Sequence, residues 1–193
     1  MAQVPFTAFH PVPVWLLWMR YPRRFDFVAL TVGAVVPDLF EPFVLLGFIG
    51  PEWGHRNWTH SLVGALTLDA GLALAGTVLV ARPLMGWADR RWPSGLWSHF
   101  AGLELAASRW PVTLVSVWIG SLAHILVDVP AHSTLRLFFP AFTLILFPPE
   151  LDTLLHLSAD LVFGPLFVYL LYVYWWRPSR LHPRTRGAQN GTK

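Results

Sequence analysis

Apolar positions in this chain gather into four long stretches, roughly 26–49, 60–81, 111–130 and 154–176. Each approaches the ~20 residues that a helix needs to cross the hydrocarbon core of a bilayer. Proline, glycine, tryptophan or arginine bounds every one of them. Two shorter runs, 11–19 and 135–148, fall below spanning length and read as re-entrant or interfacial segments. The first has no positive charge before it and no small-residue cleavage site after it, so it is not read as a signal peptide. The pattern predicts an all-α polytopic membrane bundle with four transmembrane helices. Residues 1–176 form one membrane-embedded helical domain in this reading, and 177–193 a basic, disordered tail.

Charge gives the four spans a direction. The segments 1–25, 82–110 and 177–193 fall on one side and carry all but two of the 14 basic residues. Arg56 and Arg136 alone fall opposite. The positive-inside rule then puts both termini in the cytoplasm of a multi-pass protein of the inner or plasma membrane. Trp53 and Trp58 mark the outer interface, while Trp87, Trp92, Trp97, Trp110, Trp175 and Trp176 mark the inner one. Composition agrees: 54% of residues are hydrophobic and 13% charged, against about 25% charged in soluble domains. The sequence pI near 9.8 does not signal nucleic acid, because the arginines sit beside apolar runs rather than on a patch. The partner is the lipid bilayer. Without cysteine, any metal must rest on imidazole and carboxylate, which suits zinc, iron or manganese.

Ionisable groups inside spans cost about 2.5–3.5 kcal/mol each on insertion scales and usually mark a function. Asp38, Asp69, His124, Asp128, His156 and Asp160 lie inside apolar stretches, with His60 and His132 at their edges. His124 and Asp128 are four apart, as are His156 and Asp160, so each pair shares a helix face and can present both groups to one ion. Both pairs lie roughly 3–9 Å below the outer boundary, since span 3 runs outward and span 4 inward at 1.5 Å per residue. Pro37 and Pro42 should break the first span beside Asp38. Any one histidine alone is explained by a structural hydrogen bond; the constellation favours a divalent metal. Asp69 falls nine positions from His60, on the opposite helix face, and reads as a structural polar contact. His55 is either a further support of the site or a solvated loop residue, and His99 and His182 read as solvated.

The stretches PFTAFHP at 5–11, VGAVVPD at 32–38, HRNWTHS at 55–61 and GSLAHILVDVPAHS at 120–133 resemble those of an uncharacterised bacterial membrane family, domain of unknown function 4184. The chain is also similar to inner-membrane proteins classed as metal-dependent hydrolases of the YdjM type. More distantly it resembles zinc-dependent phospholipase C and the fungal single-strand nucleases, which cleave phosphodiesters with three zincs. That resemblance implies one metal on Asp38, His60, His124 and Asp128, and a second on His132, His156 and Asp160. It implies a third on His10, with Asp128 bridging. His10 starts on the cytoplasmic side of the four-span topology, so it reaches the site only if 11–19 is a re-entrant half-helix.

The expected function is a membrane-embedded metal-dependent hydrolase of phosphoester bonds in lipid or lipid-linked substrates, with Asp38 or Asp160 orienting the attacking water. The rivals are a non-catalytic metal site, structural or ion-handling, and a scaffold that uses the Trp-rich segment 82–110. The topology is testable directly. Cysteines placed at Trp53 and Arg136 should be labelled from outside intact cells, and cysteines at Arg90 and Arg186 should not; the reverse pattern overturns the orientation.

Overall fold

The computed structural model describes residues 9–50, 53, 58–92, 110–129, 134–139 and 141–173. Four helical stretches are long and apolar enough to cross a membrane: Phe27–Leu45, Leu62–Ala88, Trp110–Asp128 and Pro149–Leu171. The four predicted spans are therefore helices. Their outer flanks carry exposed leucines such as Leu79, Leu126 and Leu161, as lipid-facing surfaces do.

The chain enters through α1 (Val12–Arg20), whose nine residues cover about 14 Å, half a bilayer core. Val12, Val14, Trp15 and Trp18 are buried, and Trp15 stacks on Phe27 and Phe167. This run is thus a half-length helix packed inside the bundle, not an interfacial one. After a turn, Asp26 caps α2 (Phe27–Val35) by accepting from the Ala29 amide at 3.1 Å. The helix tightens into a 3-10 turn over Val36–Asp38, where Pro37 supplies no amide hydrogen, and resumes as α3 (Glu41–Leu45).

The second span, α4, runs over 62–91 and alternates in character: two π-helical segments, Ala65–Asp69 and Gly76–Ala81, flank the α-helical Ala70–Ala75. In the first of them the Leu66 carbonyl accepts from the Trp118 indole at 3.2 Å. The expected end of the apolar stretch at Ala81 is not the end of the helix. Arg82 continues it because it is buried and ion-paired to Asp26, with Thr113 hydrogen-bonded to both. This polar knot ties α2, α4 and α5 (Trp110–Asp128) together at the arginine-rich end.

Between α5 and the last span lies a departure from an all-helical reading. Thr134–Phe138 (β1) and Phe142–Ile145 (β2) pair antiparallel within the short run read as re-entrant or interfacial. Phe139, beyond β1, meets Trp58 edge-on at 5.0 Å, so the hairpin sits over the turn that starts α4. The chain then enters α6 (Asp152–Leu171), which carries Pro165 in its interior.

The closest helix contact is α2 on α5, and glycine makes it possible. A Cβ on Gly120 would lie 2.4 Å from the Leu30 carbonyl oxygen, and one on Gly33 would lie 2.6 Å from that of Val117. Small residues let membrane helices approach backbone to backbone. Because backbone on each side blocks the new methyl, Gly120→Ala should push the helices apart and cost at least about 1–3 kcal/mol, the usual range for overpacking. Thermal unfolding in detergent checks this, with Gly71→Ala, where a Cβ meets nothing within 4 Å, as the neutral control.

Candidate metal centre

Five of the ionisable residues singled out from the sequence meet in one buried cluster: His10, Asp38, His60, His124 and Asp128, each at most 5% exposed. Their positions follow from the local breaks in the spans. His10 stands just before α1, Asp38 ends the 3-10 turn that interrupts the first span, and His60 ends a second 3-10 turn, Trp58–His60. Ser61 accepts from the Gly64 amide at 3.0 Å and starts α4 immediately after. His124 and Asp128 lie one turn apart on the buried face of α5, as their spacing predicts.

Four donor atoms point at a common centre. His60 Nε2 lies 3.1 Å from Asp38 Oδ1, 3.4 Å from Asp128 Oδ2 and 3.2 Å from His124 Nε2. His124 Nε2 lies 3.5 Å from Asp38 Oδ1 and 3.4 Å from Asp128 Oδ2. A tetrahedral ion with bonds of about 2.0–2.2 Å has ligand–ligand edges of about 3.3–3.6 Å. The five distances that link the two imidazoles to each other and to the carboxylates run from 3.1 to 3.5 Å, near such edges, while Asp38 and Asp128 fall into separate ligand groups that share His124.

Proton assignments strengthen the fit. His124 Nδ1 faces the Ala34 carbonyl at 2.8 Å, so that nitrogen carries the hydrogen and donates. His124 Nε2 faces two carboxylate oxygens and a second imidazole nitrogen. On the far side of His60, Nδ1 is held by Thr59 Oγ1 at 3.0 Å. Fixing the remote nitrogen in this way is how proteins orient imidazole ligands. The centre therefore gathers two carboxylates and two imidazoles whose remote nitrogens are held, a ligand set that suits a divalent cation. The residues present fit a divalent metal.

Asp128 also reaches a third histidine. Its Oδ1 lies 3.1 Å from His10 Nε2 while Oδ2 faces the centre, so the carboxylate joins His10 to the other ligands. The His10 ring stacks on His124 with centroids 4.1 Å apart. Ligand atoms of His10, Asp38 and His124 also lie within 4.8 Å of one another, as do those of His60, His124 and Asp128. The half-helix α1 thus brings His10 to the cluster.

The remaining sequence candidates divide. His132 and His55 lie outside the described residues, as do His99 and His182. On α6 His156 is buried and Asp160 half-buried, and neither joins the two ligand groups found among the described residues. Asp69 corrects the expectation of a structural polar contact. It is fully buried, neither carboxylate oxygen has a hydrogen-bond partner among the described residues, and it lies within electrostatic reach of His124 and Asp38. The π-helical turn that ends at Asp69 breaks the 100° per residue phase on which the opposite-face assignment relied. The Asp26–Arg82 pair was also not singled out from the sequence. Its signal was an aspartate just before an apolar run, the mark of a helix cap.

The profile of the family described as Domain of unknown function (DUF4184) matches residues 4–186, and the chain belongs to that family. No curated protein and no solved structure matches it.

If the cluster holds an ion, single losses should be uneven across the histidines. His60→Ala, His124→Ala and Asp128→Ala should bring bound divalent metal close to zero, whereas His99→Ala and His182→Ala should leave it unchanged. Elemental analysis of detergent-purified variants reads this out; equal metal in all five would reduce the cluster to a hydrogen-bond network.

Proposed function

We propose that this protein is a membrane-embedded metal-dependent hydrolase acting on phosphoester bonds of lipid or lipid-linked substrates. The observation that carries the reading is the buried set of two imidazoles and two carboxylates, with each imidazole nitrogen 3.1–3.5 Å from both carboxylates and from the other imidazole, within an apolar bundle. Zinc suits this donor set and geometry best, with manganese or iron as alternatives. A bound divalent ion supplies Lewis acidity toward a phosphoryl oxygen and lowers the pKa of a bound water.

The chain's own residues take distinct parts. Asp38, His60, His124 and Asp128 would hold one ion. His10, sharing Asp128, begins a second position with few protein donors, and such an incomplete shell is what a catalytic site needs for water and substrate. His132, His156 and Asp160 would furnish a further position, with Asp38 or Asp160 orienting the attacking water. The order of these ligands along the chain is that of zinc-dependent phospholipase C and the single-strand nucleases, and the phosphoester assignment rests on that likeness. With the arginine-rich ends in the cytoplasm, the cluster belongs to the outer leaflet, near the depth of lipid headgroups.

One observation favours a second reading. Four ligand residues are gathered there and all are buried, as in a structural metal site. The two readings part at His10. In the hydrolase, purified protein cleaves phosphoesters of lipid-like substrates, loses the activity to chelator and regains it with zinc or manganese. His10→Ala and Asp160→Asn then lower turnover by about tenfold or more, the loss expected for a group that binds or orients at the reacting centre. His10→Ala should do so while the ion held by the other four ligands remains. Full metal occupancy with no hydrolysis across a phosphoester panel, and unfolding on chelation, would establish the structural site instead.

A further inference from the structure

Basic residues crowd the turn between α1 and α2. Arg20 ends α1, and Arg23 and Arg24 follow just before the first span begins at Phe27. All three are exposed, and among the described residues none of them meets a carboxylate. The nearest acid in the chain is already committed. Asp26 accepts from the Ala29 amide through Oδ1, and from Arg82 and Thr113 through Oδ2. Helix electrostatics accounts for Arg20, since cations favour the C-terminus of a helix. It does not account for Arg23 and Arg24, which precede the N-terminus of α2, the end that disfavours them.

The turn holds these charges in place. The Tyr21 amide closes α1 by donating to the Leu17 and Trp18 carbonyls. The Arg24 amide donates to the Tyr21 carbonyl at 3.0 Å across Pro22 and Arg23, with proline at the position where its fixed φ suits a tight turn. The Tyr21 ring then takes two guanidiniums: Arg20 Cζ lies 5.0 Å from its centroid and Arg24 Cζ 5.6 Å. Both fall inside the ~6 Å over which a ring face attracts a cation. Two like charges are thereby gathered at one ring with no acid beside them, and an anion relieves their repulsion. Guanidinium N–H groups match the oxygens of phosphate. Beside the start of a span and a half-exposed tyrosine, the phosphate at hand is that of a phospholipid headgroup.

We propose that Arg20, Tyr21, Arg23 and Arg24 form a headgroup site for an acidic phospholipid at the arginine-rich end of the bundle. The site is separate from the metal cluster and independent of the hydrolase reading. Detergent-purified protein in micelles carrying phosphatidylglycerol or phosphatidylcholine tests it, by thermal unfolding and by counting retained lipids in native mass spectra. Phosphatidylglycerol should raise the wild-type Tm by several degrees over phosphatidylcholine, because a ligand that binds only the folded state stabilises it. Arg20→Gln/Arg24→Gln and Tyr21→Ala should lose most of that gain and retain fewer phosphatidylglycerol molecules. Tyr21→Phe, which keeps the ring, should behave as the wild type does. Arg90→Gln/Arg91→Gln removes the same charge from exposed positions at the same end, and should keep the gain. An equal loss in the two double variants would mean diffuse attraction only and would overturn the proposal. So would a wild type that does not distinguish the lipids, or one that gains as much from inorganic phosphate in phosphatidylcholine micelles.

Discussion

The approach of α2 to α5 through Gly33 and Gly120 is the constraint on which the site depends. With backbone atoms 2.4–2.6 Å from where a methyl would stand, the two helices touch main chain to main chain. That closeness delivers the Ala34 carbonyl to His124 Nδ1 at 2.8 Å. It also sets the 3-10 turn after α2, and with it Asp38, level with the histidine of α5. Moving the helices apart by the width of one methyl would detach the imidazole from its acceptor and open the donor set. The packing term and the chemical term are the same contact.

Burial raises the stakes of what that contact assembles. Polar groups withdrawn from water must find partners, and in hydrocarbon the penalty for failing is larger still. At the arginine-rich end this requirement is met within the protein: Asp26 and Arg82 form an ion pair, and Thr113 hydrogen-bonds both. At the other end two carboxylates and three imidazoles meet, with the histidine nitrogens His60 Nε2 and His10 Nε2 at 3.1 Å from Asp38 and Asp128. The same bundle thus contains one Asp–Arg–Thr knot and one cluster of imidazoles and carboxylates, the residue types that bind divalent metals. The second is the arrangement expected of a ligand site rather than of a structural contact.

Much of this was legible in the sequence. The spans showed as apolar runs because lipid admits no alternation, and the ligands stood out because ionisable residues are rare in such runs. The i, i+4 spacing of His124 and Asp128 translated directly into a shared face. What the pattern hid were departures from regular helix geometry. The face read for Asp69 assumed nine residues at α-helical phase, whereas His60 ends a 3-10 turn before the helix starts and a π-helical segment leads to Asp69, so that phase does not apply. The run 11–19 was too short to span, and only its packing shows it as a half-helix that carries His10 to the cluster. Arg82 looked like the end of a span, since a lone arginine is not expected to remain buried; its partner Asp26 lies 56 residues away in the chain. The hairpin at 134–145 was read only as a short apolar segment, for which hydropathy does not choose between helix and strand.

The central claim is that a divalent ion sits among Asp38, His60, His124 and Asp128. X-ray absorption at the metal edge of detergent-purified protein tests it most directly. An ion held there gives a first shell of four nitrogen and oxygen neighbours at about 2.0–2.2 Å, with the outer-shell scattering of two imidazoles. A folded protein that carries no metal, or a metal whose shell contains no imidazole, would contradict it.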